Sequence, residues 1–198
     1  MYGFACFGEC DESDLITNAG AEVGDLLFLT KPLGAGSITT GVKRDVADQQ
    51  HVDAAVAGMM RLNDTAARAM KAAEVKAATD ITGFGLIGHA FNIARASKVV
   101  LQFNAADIPF YDGALALAEQ GVISGASSRG RDIYGPNVTI GADVPTAIAD
   151  ICFDAETSGG VLVCVNPARV EAFRKGLGGD DLFVQVGEVL AGEAGILL

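Results

Sequence analysis

Residues 78–90 read ATDITGFGLIGHA. Gly83, Gly85 and Gly88 stand at the spacing G-x-G-x-x-G, and Asp80 lies three residues before the first of them. One chemistry for this spacing is a dinucleotide site. In that arrangement a buried strand runs into a glycine turn, and an acid about 20 residues on holds ribose hydroxyls. Strand-like Val99–Asn104 and Asp107, 19 residues after Gly88, stand near the required places. The piece before the glycines is VKAATDIT, however, too short and polar for the centre of a parallel sheet. A helical pattern precedes it, and no run of βα repeats follows Pro109. A second chemistry starts from Asp80. A carboxylate at a strand end, then glycine backbone and a helix N-terminus, suits magnesium and phosphate: the metal takes oxygen ligands, and backbone N–H groups approach the anion. The third possibility is that Asp80 only caps the turn and the glycines pack a helix onto a sheet.

Outward from this stretch the chain mixes periods. YGFACFG at 2–8 and Leu26–Thr30 read as strands. From Gln50 to Val75, Val52, Val56, Met59, Leu62, Ala66, Met70 and Ala73 recur every three or four residues, which predicts one long helix capped by Asp48 or Asp53. Asn63 lies beside that face and would need a partner if buried. AATDITG is extended, and LIGHAFNIARAS is a helix of about three turns. KVVLQFNAADIP is a strand ended by Pro109, and YDGALALAEQG is a short helix closed by Gly121. Residues 124–137 lack periodicity and read as a solvated loop, with Arg129 and Arg131 as the alternative of an anion clamp. AIADICFDAETSGGVLVCV predicts two extended runs around a Thr-Ser-Gly-Gly bend. NPARVEAFRKGLGG is a helix capped by Asn166, with Pro167 first and Gly176 as its stop, and LFVQVGEVLAGEAGILL closes the chain with strands. The expected class is α+β, a mixed β-sheet covered by helices.

Composition narrows the partners. The chain has 198 residues, half of them apolar, enough for a sizeable core. Formal charge is −11 with no basic stripe, so nucleic acid is not an expected partner. A phosphate ligand would need local help from a divalent metal or helix N-termini. No apolar run approaches a membrane span, and MYGFACFGEC has no basic n-region, which predicts a cytoplasmic protein that does not contact membrane. Cys152 and Cys164 read as small buried hydrophobes. Cys6 and Cys10, spaced C-x3-C, have no nameable partner.

TDITGFGLIGHA resembles the signature of the selenide, water dikinase (selenophosphate synthetase) family, T-D-V-T-G-F-G-L-x-G-H, with Ile81 in place of the usual valine. TNAGAEVGDLLFLTKPLGAG at 17–36, MRLNDTAARAM at 60–70 and DAETSGGVLV at 154–163 agree in order. The resemblance implies that residues 1–198 form a single domain like the aminoimidazole ribonucleotide synthetase C-terminal domain. It implies a complete enzyme about twice as long, whose N-terminal ATP-binding domain carries the catalytic Cys or selenocysteine and most magnesium aspartates. None of that domain is in this chain. It further implies that ATP, selenide and water give selenophosphate, AMP and phosphate, with Mg2+ and ATP as cofactors. Asp80 would complete the magnesium cluster at the domain interface. Thr82, Gly83 and Gly85 would shape the loop beside it, and Thr157–Gly160 would line the same cleft. The isolated chain is then expected to be inactive. Around 124–134 the family has Pro-Gly-Gly-Thr followed by Arg-Asn, whereas this chain has SGASSRGRDIYG. The alternative is a stand-alone, non-enzymatic domain that pairs with a separate ATP-binding partner or with itself as a homodimer.

Overall fold

Leu26–Leu29 (β1) is apolar at every position, and the computed structural model uses both faces of it. Leu27 and Leu29 enter one core, whereas Phe28 enters a second on the opposite side of the sheet. The structure describes residues 5, 7–178 and 182–198. After β1 come the helices Ala35–Lys43 (α1), Gln49–Met60 (α2) and Asp64–Ala72 (α3), then the strand Ala77–Asp80 (β2). Gly85–Ser97 (α4), Val100–Phe103 (β3), Ala114–Glu119 (α5) and Gly125–Tyr134 (α6) follow. Val138–Thr139 (β4), Thr146–Phe153 (α7), Val161–Val165 (β5), Val170–Leu177 (α8), Val184–Leu190 (β6) and Gly195–Leu197 (β7) complete the chain.

Among the described residues seven strands form one sheet in the order β2-β5-β1-β6-β3-β7-β4. Its pairs are antiparallel except β3–β7 and β4–β7, so the sheet is mixed, as expected. α4 lies across one face with α6 and α7 packed beside it, enclosing the larger core. α3 and α8 pack together on the other face, over Phe28, Ala78 and Val163. Gly176 permits this approach, because a Cβ there would lie 2.8 Å from Ala69 Cα. It is a contact inside α8 rather than the expected stop; Gly178 follows the helix. Beyond α3 and α8 the same face of β3 and β6 stays polar and open, with Gln102, Gln185 and Glu188 lining a groove.

Three further sequence expectations are corrected. The single helix over 50–75 is two helices with a break at 61–63. Asp48 caps α2 as expected, its side chain accepting from Gln50 N. The break follows from tertiary hydrogen bonds. Arg61 O accepts from Lys31 Nζ at 2.6 Å, and Asn63 Nδ2 donates to Gly159 O at 2.9 Å. The apolar stripe does not run through, since Leu62 is 73 % exposed. Residues 125–134 are helical, not a loop. Ser124 caps α6 by accepting from Ala126 N, and the helix is held by polar contacts that leave no hydrophobic period. Arg131 pairs with Asp150 at 2.6 Å and stacks over the Phe153 ring, so the arginine pair is not an open clamp. Residues 146–153 are helix α7 instead of a strand. Their continuous apolar run fits either state, and burial among α4, α5 and α6 selects the helix. Helix α1 falls between Thr30 and Gln50, where the sequence reading named no element. The strand expected at 2–8 lies outside the described residues apart from 5, 7 and 8, none of which is in a strand. Cys6 is likewise outside them.

Candidate functional site

The stretch 78–90 spans the end of β2, a turn and the first part of α4. Among the described residues β2 is an edge strand, bonded to β5 on one side. On its outer side Ala78 N donates to Thr17 O, and beyond that point the edge carries Asp80. Asp80 closes the strand and is exposed. The dinucleotide arrangement is absent. In that motif the two strands flanking the glycine helix belong to one βαβ unit near the binding crevice. Here β5, β1 and β6 separate β2 from β3, and Asp107 is bonded by the neighbouring Asn104 on the open polar face.

The turn after Asp80 is pinned on every side. Ile81 N donates to Gly160 O at 2.8 Å. Thr82 N donates to His89 Nε2 at 3.0 Å, and Thr82 O accepts from Glu156 N at 3.0 Å. Thr79 Oγ1 lies 3.4 Å from His89 Nδ1. Burial lowers the His89 pKa, and the charge of Asp80 opposes that shift. The three glycines of the motif differ. Gly83 is exposed, and a Cβ there would meet nothing. Gly85 is buried at φ +67°, and its Cβ would lie 2.5 Å from Asp154 O. Gly88 packs against Phe84 and Tyr134.

Asp80 lines an open groove of about 670 Å³ together with Thr79, Asn63, Thr17 and Asn18, with Met70 among its apolar walls. The structure thus brings Asp80 and Asn63 to one cavity. Thr82 and Gly83 stand on the adjoining turn, while Gly85 faces inward. Gly159 and Gly160 of the Thr157–Gly160 segment bond to Asn63 and Ile81, which ties that loop to the same place.

Behind the groove lies a buried polar layer that sequence reasoning missed. Lys31 is 1 % exposed, and its ammonium donates to Arg61 O and to Ser158 O at 2.9 Å. Glu156, also buried, accepts from Gly34 N at 2.6 Å and Ala35 N at 3.1 Å, capping α1 from 122 residues away. Asp154 is fully buried and accepts from Ser124 N and Ser124 Oγ, joining α6 to the end of α7. No spacing in the sequence announces these pairs. The one signal was Asn63, a polar residue beside an apolar face.

Burial pushes the Glu156 carboxyl up to about 8, against the two N–H donors. A carboxyl raised on folding contributes stability that is complete below its unfolded value, 4.5, and is lost as pH rises through about 8. Urea midpoints are therefore expected to fall between pH 5 and pH 9, and Glu156→Gln is expected to flatten that slope. An equal slope in the variant would exclude Glu156 as its source.

Cys152 and Cys164 are buried, as expected, and burial pushes both thiols up to about 12. Cys10 is exposed. Among the described residues no three His, Cys, Asp or Glu side chains gather as a metal cluster, and no helix is long and apolar enough to cross a membrane.

The fold and this site define a class. Residues 22–197 match the family described as "AIR synthase related protein, C-terminal domain", and the chain belongs to it. Within that class it is similar to "Selenide, water dikinase" of Paraburkholderia xenovorans (strain LB400), 37 % identical over 196 residues, covering 98 % of this chain and 55 % of that protein. The same protein of Caldanaerobacter subterraneus subsp. tengcongensis is 39 % identical over 170 residues, covering 86 % of this chain and 49 % of the relative. The chain spans about half the length of the curated relatives it matches. Among solved structures, a thiamine-monophosphate kinase from Stenotrophomonas maltophilia K279a superposes with a TM-score of 0.65 at 15 % identity, over 92 % of this chain and 52 % of that one. Hydrogenase maturation protein HypE in complex with ATP superposes with a TM-score of 0.62 at 13 % identity, over 92 % and 49 %. At those identities the likeness is one of fold.

Proposed function

We propose that residues 1–198 act as the C-terminal domain of a selenide, water dikinase, and that Asp80 supplies one magnesium ligand where this domain meets an ATP-binding half. The observation that carries this reading is the presentation of Asp80. Its carboxylate is exposed at a sheet edge, on the rim of a groove whose other polar groups are hydroxyls and amides. That donor set suits a hard, oxygen-seeking cation. A single carboxylate is a poor magnesium site, so the remaining ligands would come from the other half and from nucleotide phosphates. When bound, the metal would neutralise phosphoryl charge, which an acidic chain cannot do alone. The residues of this chain hold the backbone on either side of the carboxylate in place. Thr82 and Gly83 form the turn beside it, and Gly85 seats that turn on the fold. Two exposed apolar side chains support a covering domain: Phe84, 56 % exposed in the same turn, and Leu62, 73 % exposed next to Asn63.

The test is AMP release from ATP and selenide. The isolated chain is expected to release none, and addition of the ATP-binding half of a two-domain dikinase is expected to restore it. Robust turnover by these 198 residues alone would overturn the assignment. The exposed apolar residues also fit a non-enzymatic domain that binds a separate ATP-binding partner or itself. Complex formation without AMP release would favour that second reading.

A further inference from the structure

We propose that His89 is a positioning residue for Asp80: as a neutral imidazole protonated at Nδ1, it clamps the residues on both sides of the carboxylate. The role rests on the metal reading of Asp80 given above. Its evidence is the pattern of hydrogen bonds around one four-residue segment, Thr79-Asp80-Ile81-Thr82.

A backbone N–H can only donate. Thr82 N points at His89 Nε2 from 3.0 Å, so Nε2 must be the unprotonated nitrogen. A neutral ring then carries its proton on Nδ1, which faces Thr79 Oγ1 at 3.4 Å. Thr82 Oγ1, 3.1 Å from Nε2, adds a second hydroxyl to the same ring. One side chain thus bridges the residue before Asp80 and the residue two after it. The other links complete the frame: Ile81 N is held by Gly160 O, and Thr82 O by Glu156 N. Asp80 alone among the four projects its side chain freely to solvent. His89 is 8 % exposed, one turn into α4, and its ring lies 5.5 Å from that of Phe84. It therefore cannot itself reach a ligand in the groove as an open group. Its chemistry is spent on the turn. Groups bonded directly to a metal ligand typically change metal affinity by about 10–100-fold when removed, and His89, which holds the residues on either side of the ligand, is expected at the low end of that range.

The consequence is that the histidine of this stretch and its aspartate form one device. Leucine at 89 fills the space without an acceptor and leaves the half-buried Thr82 N–H without its partner. Glutamine can return an acceptor oxygen to Thr82 and an N–H to Thr79.

Two measurements test this on the intact chain. Long-range 1H–15N spectra of labelled protein at neutral pH are expected to show His89 with Nδ1 protonated and Nε2 bare. Titration with Mn2+, followed by broadening of amide signals around residue 80, is expected to give about tenfold weaker binding in His89→Leu. His89→Gln is expected to stay near the parent value, with both variants still folded by their amide spectra. A proton on Nε2 overturns the proposal. So does parent-like Mn2+ broadening in His89→Leu while Asp80→Asn abolishes it. Broadening that survives Asp80→Asn is a different failure, because it removes the metal reading itself and the role of His89 with it.

Discussion

Replacing Asp80 with alanine in the complete two-domain enzyme is expected to lower AMP release from ATP and selenide by about 100-fold or more. That is the scale on which a single group aimed at developing charge is felt. The fold should not change. Asp80 ends an edge strand, and its side chain is exposed, so truncation creates no cavity. Far-UV circular dichroism and the urea midpoint of the variant should match the parent. A variant that turns over normally would show that the carboxylate is only a turn residue. Asp80→Asn refines the result, since it keeps the shape of the side chain and removes its charge.

The second large effect lies five residues on and concerns stability. Gly85→Ala is expected to cost about 3 kcal/mol, from two sources that act together. The left-handed backbone at φ +67° costs an L-residue about 1–2 kcal/mol. Overpacking adds about 1–3 kcal/mol, because the new methyl would lie 2.5 Å from Asp154 O and 2.9 Å from the Phe153 carbonyl. Both of those atoms are main chain at the end of α7, which cannot swing aside as a side chain would. Gly83→Ala is the control. It has open space, and its expected change is within about 0.5 kcal/mol. Denaturant melts of the two variants decide the matter. Equal stabilities would mean that the two glycines have the same role.

These two predictions show how unevenly the stretch could be read. Its three glycines look alike in the sequence, yet one is open, one is left-handed and buried, and one packs against aromatic rings. The elements with a clean local signal were legible. β1 and β5 stood out as apolar runs, α4 as a helix behind glycines, and the pair β6 and β7 as strands around a glycine turn. Asp48 could be recognised as a cap because capping is a contact with residues two or three positions away. Helix α6 was hidden because Ser127 and Arg131 bond to Asp150, and polar anchors leave no apolar period. The break between α2 and α3 was hidden because the apolar spacing runs through it without interruption. Of the candidate site, the place of Asp80 at a strand end before a glycine turn could be read in advance. Lys31, Glu156 and the clamp by His89 could not.

The sequence by itself determined the local chemistry: a carboxylate ahead of a glycine turn, the helix that follows, and a mixed α+β composition with enough apolar surface for a sizeable core. Those features depend on neighbours within a few residues, so spacing alone encodes them. Only the tertiary structure decided which end of the sheet carries Asp80, and that α2 must stop at Met60. It alone decided that Glu156 caps α1. The reason is the cost of burying polar groups. A buried lysine ammonium and a helix N-terminus must each find partners or lose several kcal/mol. The partners that satisfy them, Arg61 O, Ser158 O and Glu156, lie 30, 127 and about 122 residues away in the chain.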